Sequence, residues 1–351
     1  MILKDKIAST LVTIKSIIKD KPNLYLTYSG GKDSTVLLHL TLSALMGMKK
    51  PPKTTIIHCN TLVENPVINS YAQNALLELD EFLLKSGLNC EIKIITPNVT
   101  FWESLIGKGY PMPNRFFRWC QRTLKIKPTE RYVNSIAPGS IVFTGLRLDE
   151  SKERKNSMNK RTGGNTKINN KSSLEYHVPI HDFTETDIWE FLITEEPLFG
   201  SYEKISQIYK GARGECPLIP EIGNKTSSGC GQRFGCWVCS LVKEDKTLKN
   251  QIDNDIKLRL LFDFRNWLLQ YSKQQENRYP FTRKGKPCKM GSMTFEARYY
   301  ILNRLLQLQD EYGETLITGQ EIENIYGQWD IDKIMFPAFY MNLEKEVAYG
   351  V

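Results

Sequence analysis

No stretch of this sequence is apolar for long enough to cross a bilayer. The opening residues, MILKDKIASTLVTIKSIIKD, set charges inside the apolar pattern at helical spacing, so the uninterrupted apolar core of a secretory leader is lacking too. Both absences lead to the expectation of a cytoplasmic protein with no membrane contact. Internal repeats are also missing. A disulfide framework is disfavoured, because the eight cysteines lie in a chain without an export signal, and reduced cytosolic cysteines usually serve metals or redox chemistry. One-sided charge is modest: the net value of +8 favours anionic partners, nucleotides or nucleic acid, without requiring them.

The chain has 351 residues and enough apolar side chains for a full core. Amphipathic runs near 3–20, 33–47, 66–86 and 125–136 alternate with β-rich runs at Leu24–Tyr28, Thr55–Cys59, Glu91–Ile95, Ile141–Gly145 and His177–Ile180. The rhythm predicts an α/β fold with a doubly wound, mostly parallel sheet, whose ligands sit beyond the carboxyl ends of the strands. Residues 151–175 break it with a polar, basic stretch, expected to be a mobile flap carrying Lys152, Arg154, Lys155, Lys160 and Arg161. Thr184 and Asp187 have capping-box spacing ahead of a short helix. Helices are further expected at 250–275, 294–312, 319–327 and 330–345. The expected organisation is a nucleotide domain over 1–200, a cysteine-rich region over 201–250 and a helical C-terminal part over 251–351.

Ser29-Gly30-Gly31-Lys32-Asp33-Ser34 lies between an apolar strand and a helix. Paired glycines let a backbone approach phosphate closely, a helix start offers N–H groups, and Lys32, Ser29 and Ser34 add donors. The order of residues departs from the Walker pattern, since Asp33 comes after the lysine. It resembles the SGGxDS signature of the PP-loop, or adenine nucleotide α-hydrolase, superfamily. That resemblance implies cleavage of ATP between its α and β phosphates.

Arg118-Trp119-Cys120 through Lys127-Pro128, Thr144-Gly145-Leu146-Arg147 through Ser151 with Arg154, and Tyr176-His177-Val178-Pro179-Ile180 come next in order. They resemble the blocks of the phosphoadenosine phosphosulfate reductase group and of the related DNA sulfur-modification proteins. By this likeness Cys59-Asn60-Thr61 would meet adenine, Gly145 would belong to the nucleotide site, and Arg147 and Arg154 would meet phosphates or the acceptor. Lys32, Asp33, Ser34, Arg147 and Cys120 form the expected catalytic set, with Mg²⁺ accompanying ATP and Asp33 and Asp149 as candidate metal ligands.

Cys236 and Cys239 stand three residues apart, with Cys230 and Cys216 earlier in the same glycine-rich region. Four thiolates suit either zinc or an iron–sulfur cluster, and spacing does not choose between them. The run Arg233-Phe234-Gly235-Cys236-Trp237-Val238-Cys239 resembles the RFGCWxC stretch of the DndC and SspD families of bacterial DNA phosphorothioation. The resemblance implies a [4Fe-4S] cluster on Cys216, Cys230, Cys236 and Cys239, with Cys120 as substitute for the remote Cys216. It also implies an ATP-dependent sulfurtransferase that adenylylates a DNA phosphate and replaces a non-bridging oxygen by sulfur in bacterial defence, with DNA, a cysteine desulfurase and other DNA sulfur-modification proteins as partners. DNA contacts are expected from the flap and from Arg283-Lys284-Gly285-Lys286. The alternatives are a phosphoadenosine phosphosulfate or adenylyl sulfate reductase, against which the lack of a cysteine after Cys288 counts, a tRNA thiolase, and a non-catalytic scaffold.

Overall fold

The computed structural model describes residues 2–136, 138–150, 167–168, 174–213, 235–283 and 285–335. The chain divides into two units, one of residues 1–60, 64–95 and 129–235, the other of 61–63, 96–128 and 236–351.

The first unit is built on a six-stranded sheet. Its strands are β1 (Asn23–Tyr28), β2 (Lys53–Cys59), β3 (Cys90–Ile95), β4 (Ile141–Phe143), β5 (Lys167–Ile168) and β6 (Glu175–His177). They lie in the order β3-β2-β1-β4-β6-β5, all pairs parallel except β5 with β6. Strand order reverses at β1, from which the chain runs first to β2 and β3 and later to β4 on the other side. Ligands of open α/β sheets sit at such a reversal, beyond the strand ends.

The helices arise from local signals. The first, α1 (Leu3–Ile18), buries Leu3, Ile14 and Ile18. In α2 (Lys32–Met46) Val36, Leu37, Leu38, Leu40 and Leu42 are all buried, as expected of a helix apolar on most faces. α3 (Pro66–Ser86) starts where the Asn65 side chain accepts from the Val67 N–H, with Pro66 in the first turn, and stops at Gly87 in the left-handed conformation. After α4 (Lys127–Asn134) comes α5 (Glu185–Thr194), which opens on the expected capping box of Thr184 and Asp187. α6 (Tyr202–Arg213) buries Tyr202, Ile205 and Tyr209 in the same core as α2 and α5.

The second unit is helical, with α7 (Lys246–Gln251), α8 (Leu258–Tyr271), α9 (Phe295–Tyr312) and α10 (Gly319–Met335). Two of its tryptophans are pinned as well as buried: Trp102 Nε1 donates to the Leu316 carbonyl at 2.8 Å and Trp329 Nε1 to that of Ile106 at 2.9 Å. Wide helical turns with i to i+5 bonding occur at Glu103–Gly107 and Gln121–Ile126.

Several expected boundaries shift for identifiable reasons. The strand expected at His177–Ile180 is Glu175–His177, since Pro179 has no N–H for a ladder and the chain turns there, His181 N–H bonding the Val178 carbonyl. The strand expected to reach Gly145 ends at Phe143. The single helix expected over 250–275 is two, α7 and α8, separated by an aspartate-rich turn in which Asp255 accepts from the Lys257 N–H. The helices expected at 319–327 and 330–345 are one continuous helix as far as Met335, and the run expected from 125 becomes a wide turn succeeded by α4. α6 is additional to the elements expected. Of the expected flap, Lys167–Ile168 forms the edge strand β5, with Lys167 paired to Glu175 at 3.1 Å. Lys152, Arg154, Lys155, Lys160 and Arg161 fall outside the described residues.

Candidate functional site

β1 ends at Tyr28 and the chain turns through Ser29, Gly30 and Gly31 into α2. Gly30 has φ +75, and a Cβ there would stand 2.8 Å from the Ala72 Cβ, so both its conformation and its surroundings call for glycine. Gly31 is the cap residue of α2 and places no side chain over the first turn. The turn is tied from inside. Ser34 Oγ donates to the Gly31 carbonyl at 2.9 Å, accepts from the Ser29 N–H at 3.2 Å and lies 3.1 Å from Ser29 Oγ. Thr35 Oγ1 donates to the same Gly31 carbonyl at 3.0 Å. The result is a small, fixed loop with helix-start N–H groups at its rim, a shape and polarity suited to a phosphate.

Charge around the loop is ordered by Asp33. Its Oδ1 accepts from Arg147 Nε at 2.6 Å, and its Oδ2 lies 3.3 Å from Lys32 Nζ. Arg147 is 2% exposed and also donates to the Phe183 carbonyl at 3.1 Å, so it is held on two sides. The Lys32 ammonium lies 5.2 Å from the centre of the Tyr209 ring and 6.0 Å from that of Trp189, where a cation is attracted to aromatic faces. The Lys32 N–H donates to the Tyr209 hydroxyl at 3.3 Å. Gly145, just past β4, completes the site, for a Cβ there would lie 3.3 Å from Asp33 backbone atoms and Ser34 Cα. The reversal point of the sheet thus brings Ser29, Gly30, Gly31, Lys32, Asp33, Ser34, Gly145 and Arg147 together.

Other expected residues fall differently. Cys59 and Asn60 leave the sheet beside the end of β1, where His58 pairs with Tyr28, and the Asn60 N–H bonds the Ile95 carbonyl at 2.9 Å. Thr61 belongs to the second unit, with its hydroxyl 3.6 Å from Cys236 Sγ. Asp149 accepts from the Glu185 N–H at 3.0 Å and caps α5. Each Asp33 oxygen already faces a cation, so this carboxylate fits a charge anchor better than a magnesium ligand. Arg154 lies outside the described residues. Tyr209, Trp189 and Glu185, whose Oε1 is 3.9 Å from Lys32 Nζ, were not singled out from the sequence. The available signal was the i, i+3, i+7 spacing of Tyr202, Ile205 and Tyr209.

In the second unit the Cys236–Cys239 turn closes through the Cys239 N–H and the Cys236 carbonyl at 2.9 Å, and the Trp237 N–H bonds the Val63 carbonyl at 3.0 Å. Fully buried Arg265 pins the end of this turn and the residues after it, its guanidinium donating to the carbonyls of Cys239 at 2.7 Å, Val242 at 2.6 Å and Lys243 at 3.1 Å. Burial, with the charge of nearby Cys239 as a second cause, pushes the Cys120 thiol above its ordinary pKa. Cys216 and Cys230 lie outside the described residues, and among the described residues no three His, Cys, Asp or Glu side chains are gathered for a metal. Cys236 and Cys239, soft donors on one tight turn with a hydroxyl beside Cys236, fit half of the thiolate set that an iron–sulfur cluster needs. Arg283, expected to face DNA, pairs with Asp332 and donates to the Lys108 carbonyl at 2.7 Å.

Similarity to known proteins covers part of the chain. An uncharacterized protein of Methanocaldococcus jannaschii is 29% identical over 189 residues, which are 53% of this chain and 35% of that protein. The chain therefore spans about a third of the length of this curated relative. Among solved structures, phosphoadenylyl-sulfate reductase from Candida auris in a phosphate complex gives a TM-score of 0.37 at 14% identity, covering 57% of this chain and 85% of that one. The U34-tRNA thiolase NcsA from Methanococcus maripaludis, with its [4Fe-4S] cluster, gives 0.37 at 13% identity, covering 60% and 74%. No helix among the described residues is long and apolar enough to cross a membrane. Residues 23–240 match the model of the phosphoadenosine phosphosulfate reductase domain, and the chain belongs to that family.

Proposed function

We propose that the chain is an ATP-cleaving sulfurtransferase, with the phosphates of ATP on the Ser29–Ser34 loop and a DNA backbone phosphate as acceptor. The observation that carries the nucleotide half is the internally tied loop at the sheet reversal, with Gly30 in a left-handed conformation and Gly145 closing on Asp33 and Ser34. Replacing a phosphate oxygen by sulfur needs activation, because oxide is a poor leaving group. In the proposed sequence an acceptor oxygen attacks the α-phosphorus, pyrophosphate leaves, and a sulfur nucleophile then displaces AMP from the adenylylated acceptor.

The chain's own residues supply position and charge. N–H groups at the start of α2 and the Lys32 ammonium face the developing negative charge of pyrophosphate, and electrostatic groups fixed beforehand need no reorganisation as the reaction proceeds. Arg147 acts through Asp33 and is a positioning residue. Mg²⁺ arriving with ATP would supply further charge neutralisation. A [4Fe-4S] cluster on Cys236 and Cys239, with Cys216 and Cys230 or Cys120, would supply redox or sulfur-relay chemistry. A cysteine desulfurase would provide the sulfur.

One observation favours a second reading. The family to which residues 23–240 belong bears the name of a sulfonucleotide reductase, in which the nucleotide is substrate and not activator. On that reading the same loop holds the phosphates of adenylyl sulfate or its 3′-phosphorylated form. A tRNA thiolase is the same activation chemistry on another acceptor.

Mass spectrometry of nuclease-digested DNA and tRNA from cells with the gene, without it, and with Ser34→Ala separates these readings. Sulfur-containing dinucleotides from DNA that need both the gene and Ser34 are the expected result. Thiolated tRNA nucleosides, or neither product together with turnover of adenylyl sulfate by the purified protein, would overturn the DNA assignment.

A further inference from the structure

Asn114-Arg115-Phe116-Phe117-Arg118 forms a tight turn in the second unit, two residues before Cys120. Its outermost side chain, Phe116, is 101% exposed. A single exposed apolar residue needs no explanation by itself. Here three further features coincide. First, the turn is preorganised: Asn114 Oδ1 accepts from the N–H groups of Phe116 and Phe117, both at 2.9 Å. It is anchored from below, with Phe117 edge-on to Tyr110, Tyr110 edge-on to Trp119, Trp119 stacked on Phe101, and Trp119 Nε1 donating to the Pro111 carbonyl at 2.8 Å. Phe116 is therefore held in water by a rigid frame.

Second, the ring's neighbours in sequence are cationic. Arg115 and Arg118 on either side are exposed, as are Arg122 and Lys125 on the next turn, and the stretch 114–126 contains no acidic residue. Third, the turn is tied to the thiol loop, since Ser240 Oγ, next to Cys239, donates to the Pro113 carbonyl at 2.6 Å. An aromatic face among guanidinium groups is how proteins hold unpaired nucleotides, with bases stacking on the ring and phosphates meeting the cations.

We propose that Phe116, with Arg115, Arg118 and Arg122, is a stacking platform that holds an unpaired segment of nucleic acid beside the Cys120 and Cys236–Cys239 thiols. This deepens the nucleic-acid reading of the function and rests on it. Phosphate contacts fix the strand without reading its sequence, and the stacked base sets which nucleotide lies next to the thiols. A protein partner would also cover Phe116, but it would have little use for four exposed cations in the same short stretch.

The test is fluorescence anisotropy of the full chain with a labelled 15-nucleotide single strand, DNA and RNA in separate arms, and with the corresponding duplex. Phe116→Ala should weaken single-strand binding about tenfold, the effect of losing one stacked base. Phe116→Trp should restore it, whereas Phe116→Leu, apolar but unable to stack, should not. Arg115→Ala with Arg118→Ala should lower the slope of log affinity against log salt by about 1.4, from two lost phosphate contacts at about 0.7 each. Phe116→Ala binding like the unaltered chain, or Phe116→Leu binding as tightly as it does, would overturn the proposal, the latter by showing an apolar docking site. ATP-analogue binding by the same preparations keeps the two readings apart. Failure to bind any single strand while the analogue still binds would overturn the platform and the nucleic-acid acceptor but leave the nucleotide site standing.

Discussion

Gly30 carries two constraints that one substitution can separate. Gly30→Ala places a Cβ both at a positive φ and 2.8 Å from the Ala72 Cβ. A left-handed conformation costs an L-residue about 1–2 kcal/mol, and the contact adds to it. The expected outcome is a loss of about 2 kcal/mol in urea unfolding together with weakened nucleotide binding. Gly30→Ala with Ala72→Gly should recover the contact part of that loss and retain the backbone part. Full recovery would show that the conformation of Gly30 carries no strain.

His39, on α2 behind the loop, gives a second test at this scale. Its ring lies edge-on to Phe191, its Nδ1 is 2.6 Å from the Tyr202 hydroxyl, and burial lowers its pKa from 6.5 to about 4. The unfolded chain therefore binds a proton between pH 6.5 and about 4 that the folded chain refuses. Stability from this group is complete above pH 6.5 and declines on acidification towards pH 4, by about 3 kcal/mol over that window. His177, also lowered chiefly by burial, adds to the same trend. Unfolding midpoints measured against pH should show the decline, and His39→Gln should flatten it. An unchanged slope in the variant would mean that His39 does not titrate in this way.

Among the elements, α5 links the loop's surroundings to the rest of the first unit. Its capping box is joined by Lys6 of α1, whose ammonium lies 2.6 Å from Asp187 Oδ2. Thr184→Ala removes the side chain that accepts from the Asp187 N–H, and about 1 kcal/mol should go with it. Equilibrium unfolding measures this directly, and a change below about 0.3 kcal/mol would show that Asp187 caps the helix unaided. Thr184 and Asp187 were legible in the sequence because a capping box is a local device of fixed spacing. α3 was legible in full for the same reason, with Asn65-Pro66 at one end and Gly87 at the other. α6 was not, since it follows the short 195–201 connection and its apolar stripe is stabilised by packing on neighbours distant in sequence, α2, α3 and α5. The wide turns at Glu103–Gly107 and Gln121–Ile126 have no sequence signature of their own. The first lies among buried neighbours that absorb its irregular backbone, with the Arg298 guanidinium donating to the Gly107 carbonyl at 2.7 Å.

On the scale of the whole molecule, the sheet order converts a short motif into a site. Ser29–Ser34 and Gly145 are more than a hundred residues apart in sequence, yet β1 and β4 are neighbours, with Leu26 opposite Phe143, so their exits converge. The turn was readable because paired glycines and hydroxyl residues between an apolar strand and an apolar helix form a local pattern. The pairing of Arg147 with Asp33, and the approach of Tyr209 to Lys32, depend on packing across the unit and were not readable. The thiols of Cys236 and Cys239 were recognised by spacing, but the burial of Arg265 beneath them comes from α8 and carries no such signal.

The most direct measurement is calorimetric titration of the full chain with a non-hydrolysable ATP analogue bearing a methylene bridge between the α and β phosphates. The unaltered protein should bind one equivalent, and Gly30→Ala and Lys32→Ala should each weaken binding at least tenfold while remaining folded by circular dichroism. No binding by the unaltered protein, or binding indifferent to both substitutions, would contradict the assignment of the Ser29–Ser34 loop as an adenine-nucleotide site.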